Sequence, residues 1–101
     1  MDSKIIKNRS KAVRGLLNKE KINCLIITKP ANVTYTTGFW GDDSWAVVTA
    51  GAVYLLTDSR YIEQAKSQCP HCIIIQRTGT MAEAMAKLVK KLRKLKNDIL
   101  G

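Results

Sequence analysis

The sequence contains a single histidine and only eight acidic residues, so it is poor in the side chains that bind metal ions. A two-metal hydrolase site needs several carboxylates and usually a histidine, brought together from different strands. The acidic residues are scattered along the chain, and His71 has no evident partner for nucleophilic or acid–base chemistry. The chain is therefore predicted to contain no catalytic residue and no metal or cofactor site of its own.

Long apolar runs are also absent. Runs such as residues 45–48 and 72–75 fall far short of the roughly 20 residues that a membrane-spanning helix needs. The first residues carry scattered lysines and lack the apolar stretch of a secretory signal. Three cysteines, an odd number, do not provide the disulfide framework of a small secreted protein. These absences predict a cytoplasmic protein with reduced thiols and no membrane partner.

Basic residues are in excess, with 17 Lys and Arg and a net charge of +9. They concentrate in residues 4–21 and 87–96, and such an excess raises nucleic acid as a partner. Both stretches also carry apolar residues at helical spacing, and the chain shows no aromatic stacking platform. We interpret the basic residues as solvent-facing sides of amphipathic helices, which makes nucleic acid an unlikely partner. A small basic nucleic-acid-binding module remains an alternative.

The hydrophobic pattern predicts helices that alternate with strands. Helices are predicted over residues 3–20, 30–37, 59–68 and from residue 81 onward, and strands over residues 24–28, 45–49, 52–57 and 71–76, with residues 98–101 opening one more strand. The unbroken apolar run at 24–28 is typical of a strand covered on both faces, so it is predicted to be central. Residues 45–57 are predicted to form a hairpin. The order predicts an α/β domain of three layers, a mixed sheet flanked by helices.

Local signals mark several helix ends. Pro30 suits the first turn of a helix and Gly38 can adopt the positive φ that ends one. Asp58 or Ser59 is placed to cap the third helix. Thr80 and Glu83 have the spacing of a capping box at the start of the last helix.

Cys69-Pro70-His71-Cys72 has the spacing of a redox dithiol. In thioredoxin-like enzymes the first cysteine begins a helix, whose dipole lowers the pKa of the thiol. Here the motif follows a predicted helix, so Cys69 lies where the dipole disfavours a thiolate. A zinc site is unfavourable because His71 and Cys72 are neighbours on a predicted strand and point to opposite faces. We predict that Cys24 and Cys72 are small buried hydrophobes and His71 faces solvent, with a redox role as a minor alternative.

Three motifs occur in order along almost the whole chain. A basic helix leads into a strand over residues 14–28, and residues 30–39 read Pro-Ala-Asn-Val-Thr-Tyr-Thr-Thr-Gly-Phe. Residues 55–65 contain a Thr-Asp-Ser-Arg-Tyr segment. Each motif is weak alone, but together they resemble the N-terminal domain of the creatinase/prolidase/aminopeptidase P family.

The resemblance implies a fold of the creatinase/prolidase N-terminal type, ribonuclease H-like in outline. It also implies a parent Xaa-Pro aminopeptidase or dipeptidase, a metallopeptidase that acts on proline-containing peptides. In that family two divalent metal ions (Mn, Co or Zn) lie in a C-terminal pita-bread domain, whose residues are not part of this sequence. We therefore expect residues 1–101 to form one domain, truncated near its C-terminal end and inactive alone.

In the family this domain supports oligomers and restricts access to an active site, often that of a neighbouring subunit. The resemblance assigns this role to the loop of residues 39–45, with Phe39, Trp40, Asp42, Asp43 and Trp45 as candidate contacts. The implied partners are the protein's own catalytic domain and a second subunit of a homo-oligomer such as a dimer. Asp58, Arg60 and Tyr61 match the family's motif and are expected to be structural. A stand-alone interaction or regulatory protein is the alternative.

Overall fold

The computed structural model describes residues 3–19, 24–41, 43–49 and 51–100. Its elements, in chain order, are α1 (Ser3–Lys19), β1 (Cys24–Ile27), α2 (Pro30–Thr37), β2 (Trp45–Thr49), β3 (Val53–Thr57), a 3₁₀ turn (Ser59–Tyr61), α3 (Ile62–Gln68), β4 (Ile73–Gln76) and α4 (Met81–Leu100). The predicted order of helices and strands is confirmed. Within the described ranges, no helix combines the length and the apolar character needed to cross a membrane.

The last helix is longer than predicted. A strand was expected to open at residues 98–101, but α4 continues to Leu100. Neither glycine nor proline occurs between Met81 and Leu100, and most of these residues are strong helix formers. The helix therefore propagates through the segment that the sequence pattern assigned to a strand.

The four strands form one mixed sheet in the order β1-β2-β3-β4. The β1–β2 and β2–β3 pairs are antiparallel, and β4 runs parallel to β3. The predicted hairpin is confirmed, with Val48 opposite Val53 next to its turn. The 3₁₀ turn and α3 form the crossover that a parallel pair requires.

The predicted central position of the first strand is wrong. In the described part of the chain β1 pairs on one side only, with β2, and so lies at an edge of the sheet. Leu25 is 41% exposed and Ile26 is 45% exposed. An apolar run shows which side chains are hydrophobic but not which neighbours cover them. Leu25 and Ile26 point to opposite faces of the sheet, so this edge strand is incompletely covered on both faces.

Helices cover both faces of the sheet, which confirms the three-layer α/β architecture. On one face α1, α2 and α3 pack around a core that includes Leu17, Val33, Leu55 and Ala65. On the other face α4 alone supplies Ala84, Met85 and Leu88, which pack against Val47 and Leu56. Leu55 and Leu56 are adjacent in β3 and enter opposite cores, as the pleat of a strand requires.

The helix signals predicted at Gly38 and at Thr80 with Glu83 are confirmed by hydrogen bonds, whereas Asp58 caps the 3₁₀ turn and not α3 itself. Gly38 has φ of 83° and donates its N–H to the Thr34 carbonyl at 2.8 Å, which ends α2. At the start of α4, Glu83 N–H donates to Thr80 Oγ1 at 3.1 Å and Thr80 N–H donates to Glu83 Oε2 at 3.4 Å. This reciprocal pair is the capping box that the spacing predicted.

Candidate functional site

The base of the 39–45 loop is a buried aromatic residue. Phe39 is 0% exposed, and its ring meets the Tyr61 ring edge-to-face with centroids 6.2 Å apart. An added Cβ at Gly41 would overlap the Phe39 ring, so the loop can cross over the ring only at a glycine. Phe39 was predicted to contact a partner, and its complete burial corrects that prediction because the ring has no surface to offer.

Hydrogen bonds from α2 hold this base in place. The Thr37 hydroxyl donates to the Val33 carbonyl at 2.7 Å and accepts the Phe39 N–H at 3.1 Å. The Thr34 hydroxyl donates to the Phe39 carbonyl at 2.9 Å. Both backbone polar groups of the buried Phe39 are thus satisfied, and the start of the loop is fixed relative to α2.

Trp40 is the large side chain that the loop presents to solvent. It is 65% exposed. Its backbone N–H donates to Gln68 Oε1 at 3.3 Å, which connects the loop to the end of α3. An exposed indole ring whose backbone N–H is held by a hydrogen bond is suited to contact a partner, because Trp combines a large apolar surface with a polar N–H.

Asp43 is the second exposed side chain of the loop. Its φ of 50° lies in the left-handed region, which Asp tolerates better than most residues. The carboxylate is 63% exposed and lies 3.6 Å from Arg60 Nη2. Asp42, also predicted as a contact, lies outside the described residues.

Trp45 faces a different part of the molecule. It begins β2 and packs against the core under α4, whereas Phe39 enters the core on the other face. Trp45 also lines a groove with Ile26, Met85 and Val89. Phe39 and Trp45 therefore lie in different cores. Among the candidates that the structure describes, Trp40 and Asp43 lie on the loop surface.

Asp58 ties this loop to the sheet through arginines. Its Oδ1 accepts hydrogen bonds from Arg60 N–H and from Arg60 Nε, both at 3.0 Å, and its Oδ2 accepts one from Arg77 Nη2 at 3.1 Å. The bond from the Arg60 backbone N–H, followed by the Arg60 side chain and the Arg77 charge, lowers the pKa of Asp58. The structural role expected for Asp58 and Arg60 matches these contacts.

Sequence reasoning missed two of the residues that hold the loop. Arg77 follows Asp58 by 19 positions and Gln68 follows Trp40 by 28. Neither separation corresponds to a turn, a helix face or a strand pairing that a pattern could reveal. Both contacts exist because β4 lies beside β3 and α3 ends next to the loop.

The cysteine motif lies at the end of α3. Cys69 is buried and Cys72 is half-buried. Interaction with the Cys72 thiol lowers the pKa of Cys69 despite its burial. The Cys72 thiol and the end of α3 therefore act on the Cys69 pKa in opposite directions.

His71 was predicted to face solvent, and the structure corrects this. Its Nε2 atom is buried and finds no hydrogen-bond partner among the described residues. Burial, followed by the charges of Arg14 and Lys7, lowers the pKa of His71. No group of three His, Cys, Asp or Glu side chains that could hold a metal ion occurs in the part of the chain that the structure describes.

The sequence matches the family described as Creatinase/Prolidase N-terminal domain over residues 9–99. Among curated proteins, "Uncharacterized peptidase YqhT" of Bacillus subtilis is 36% identical over 78 residues. The match covers 77% of this chain and 22% of that relative, so the chain spans about a fifth of the relative's length.

Solved structures of peptidases share the fold. An Xaa-Pro dipeptidase from Bacillus anthracis superimposes with a TM-score of 0.78 at 25% identity, over 86% of this chain and 24% of that one. A structure described as an XXA-pro aminopeptidase from Streptococcus pyogenes gives a TM-score of 0.81 at 26% identity, over 95% of this chain and 70% of that one.

Proposed function

Because the chain belongs to the creatinase/prolidase N-terminal domain family, we propose that it serves as the non-catalytic N-terminal domain of a cytoplasmic Xaa-Pro aminopeptidase or dipeptidase. The observation that carries the proposal is the family match over residues 9–99, together with relatives several times longer than this chain. In this proposal the hydrolysis of proline-containing peptides and the two divalent metal ions belong to a separate catalytic domain. No described residue group fits those metals, so no step of the reaction is assigned to this chain.

The test compares this chain with the protein expressed from the uninterrupted reading frame. Both are assayed with an Xaa-Pro dipeptide and a longer Xaa-Pro peptide in the presence of manganese or cobalt. We expect hydrolysis only by the longer protein. If no frame downstream of the chain encodes a metal-binding domain and neither sample is active, the proposal fails and a stand-alone interaction protein takes its place.

We further propose that the 39–45 loop lies against the active site of a neighbouring subunit in a homo-oligomer and limits which peptides enter. Three features support this role. The loop is anchored by Phe39 and by hydrogen bonds to α2 and α3, so its position is defined. It presents an exposed indole at Trp40 and an exposed carboxylate at Asp43, with Asp42 between them in sequence. Exposed aromatic and charged groups next to an anchored backbone can contact a peptide with less loss of conformational entropy than groups on an unanchored one.

The loop is tested with Trp40→Ala in the full-length enzyme. Trp40 is mostly exposed, so we expect little change in stability but a change in KM for longer Xaa-Pro peptides, with a smaller change for the dipeptide. The matched control is Tyr35→Ala, which removes an aromatic ring that is 55% exposed on α2, outside the loop. Equal effects of the two variants on both substrates would reject a specific role for the loop.

A further inference from the structure

The dithiol at the end of α3 has no part in the proposed function. We propose that Cys69 and Cys72 form a reversible intramolecular disulfide, which makes the turn between α3 and β4 a site of thiol oxidation. A catalytic redox dithiol oxidises or reduces the thiols of other proteins. Here, in contrast, the two cysteines of this chain are themselves the groups that are oxidised.

The backbone already holds the two cysteines at bridging distance. Cys72 N–H donates to the Cys69 carbonyl at 3.0 Å, which closes a turn of four residues. Such a turn brings its first and last Cα atoms to within about 7 Å, and a disulfide needs roughly 4.4–6.8 Å. Pro70 fixes one φ inside the turn, so fewer conformations compete with the closed one.

Both side chains also pack in the same core. Cys69 is buried in the cluster under α1, α2 and α3, and Cys72 packs against that cluster. Each thiol is the largest influence on the pKa of the other, lowering it at Cys69 and raising it at Cys72. The closed turn and the shared core place both sulfurs on the same side of the sheet, where rotation about the side-chain bonds can join them.

The environment assigns a different role to each thiol during oxidation by a low-molecular-weight disulfide. Cys72 is partly exposed, so it is the sulfur that such a disulfide can reach, whereas Cys69 is buried behind it. Cys69 is the neighbour of the sulfur that has reacted, so after losing its proton it is placed to attack the mixed disulfide.

With glutathione disulfide as the oxidant, the reaction balances in two exchanges. The Cys72 thiolate attacks one sulfur of glutathione disulfide, whose S–S bond breaks, and one glutathione leaves and takes up the proton. The Cys69 thiolate then attacks the Cys72 sulfur of the mixed disulfide, and the second glutathione leaves as its S–S bond breaks. In total two cysteine thiols lose two electrons and two protons, and one glutathione disulfide becomes two glutathione molecules.

The third cysteine provides an internal control. Cys24 begins β1 and packs with the core under α4, on the opposite face of the sheet from Cys69. Cys24 cannot reach the pair without unfolding of the sheet. A disulfide between Cys69 and Cys72 that leaves Cys24 as a free thiol is therefore the selective outcome. Unselective oxidation would also modify Cys24.

The experiment incubates the folded 101-residue chain in glutathione buffers with an increasing share of glutathione disulfide, followed by alkylation and mass spectrometry of proteolytic peptides. We expect the loss of two of the three alkylatable thiols, an internal disulfide in the peptide that contains Cys69 and Cys72, and full recovery with dithiothreitol. Cys24→Ser should behave as the wild type does. Cys69→Ser should stop at a glutathione adduct on Cys72, because the thiolate that resolves the adduct is missing.

Three results would overturn the proposal. In the first, all three thiols remain alkylatable at every buffer ratio. In the second, Cys72 of the wild-type chain carries glutathione but no internal disulfide forms. In the third, a non-reducing gel shows disulfides between chains in place of the internal one. The disulfide is identified by mass spectrometry of the wild-type chain, without any variant. The proposal is therefore decided even if a substituted chain fails to fold.

Discussion

The Asp58 carboxylate connects three separate parts of the chain. It caps the 3₁₀ turn through the Arg60 N–H, and it holds the Arg77 side chain from beyond β4. Arg60 in turn reaches Asp43 in the 39–45 loop. One ionised carboxyl group therefore positions the crossover and the loop together, and protonation of that group should loosen both.

We predict that Asp58→Asn flattens the dependence of stability on acid pH. The hydrogen bonds and charges of its arginine partners depress the pKa of Asp58 in the folded state below the ordinary value of 3.8. The contribution of Asp58 is therefore present above pH 3.8 and is lost as the pH falls through the depressed folded-state pKa. The measurement is the urea midpoint at a series of pH values, which should fall more steeply for the wild-type chain.

The control for this titration is Glu63→Gln. Glu63 is almost fully exposed, and its contact with Lys66 is at 4.0 Å on the surface of α3. A surface pair of this kind contributes little to stability, so the variant should follow the wild-type curve. Parallel curves for Asp58→Asn and the wild-type chain would show that Asp58 contributes no more than an isolated carboxylate.

A second prediction contrasts two glycines. Gly41→Ala would force a Cβ into the Phe39 ring, and overpacking of this kind costs typically about 1–3 kcal/mol. Gly15→Ala lies on the exposed side of α1, where no described atom is within 4 Å of the new Cβ, and should stabilise by about 0.5–1 kcal/mol. Urea unfolding of both variants measures the difference. Equal shifts in the same direction would show that Phe39 does not pack under Gly41.

The residues whose roles could be predicted are those whose partners are near in sequence. The Asp58 cap and the Thr80–Glu83 box follow from spacings of two and three residues. Gln68 and Arg77 could not be identified, because their partners come from elements that only the completed fold brings together. The same limit explains Phe39, since its position in a loop gave no sign that its ring would be covered by Tyr61.

At the scale of elements, periodicity predicted the type and order of helices and strands but not the position of β1 in the sheet. Residues 24–27 and 73–76 have similar apolar runs, and both strands lie at edges. Runs of this kind are typical of strands buried on both faces. The order of strands in the sheet depends on which strands pair. Pairing follows from the hairpin and from the crossover through α3, and the hydrophobic periodicity of a strand does not show which strand is its neighbour.

The α4 cap offers a prediction at this scale, because α4 supplies the helical side of one of the two cores. Thr80→Ala removes the hydroxyl that accepts the Glu83 N–H and should cost about 1 kcal/mol. Urea unfolding followed by circular dichroism measures the loss. Ser67→Ala, which removes an exposed hydroxyl from α3, is the control and should be nearly neutral. A neutral result for Thr80→Ala would indicate that packing against the sheet alone sets the start of α4.

At the scale of the whole molecule, two properties act against each other. The net charge of +9 makes copies of the chain repel one another. The exposed edge at β1, with Leu25 and Ile26 partly uncovered, favours pairing with any further strand. The repulsion acts over a Debye length of about 8 Å at physiological ionic strength and shortens as salt is added, whereas burial of apolar surface is far less sensitive to moderate salt.

We therefore predict that this chain associates more strongly as sodium chloride is raised, which sedimentation velocity at several protein concentrations can measure. Ile26→Lys should suppress the association, because it places a charge on the edge strand. Leu16→Lys on α1 is the matched control, since it adds the same charge at an exposed apolar position outside the edge strand. If the two variants suppress association equally, net charge alone governs it and β1 is not the contact. Association that weakens with salt would instead indicate that opposite charges, and not the apolar edge, hold the copies together.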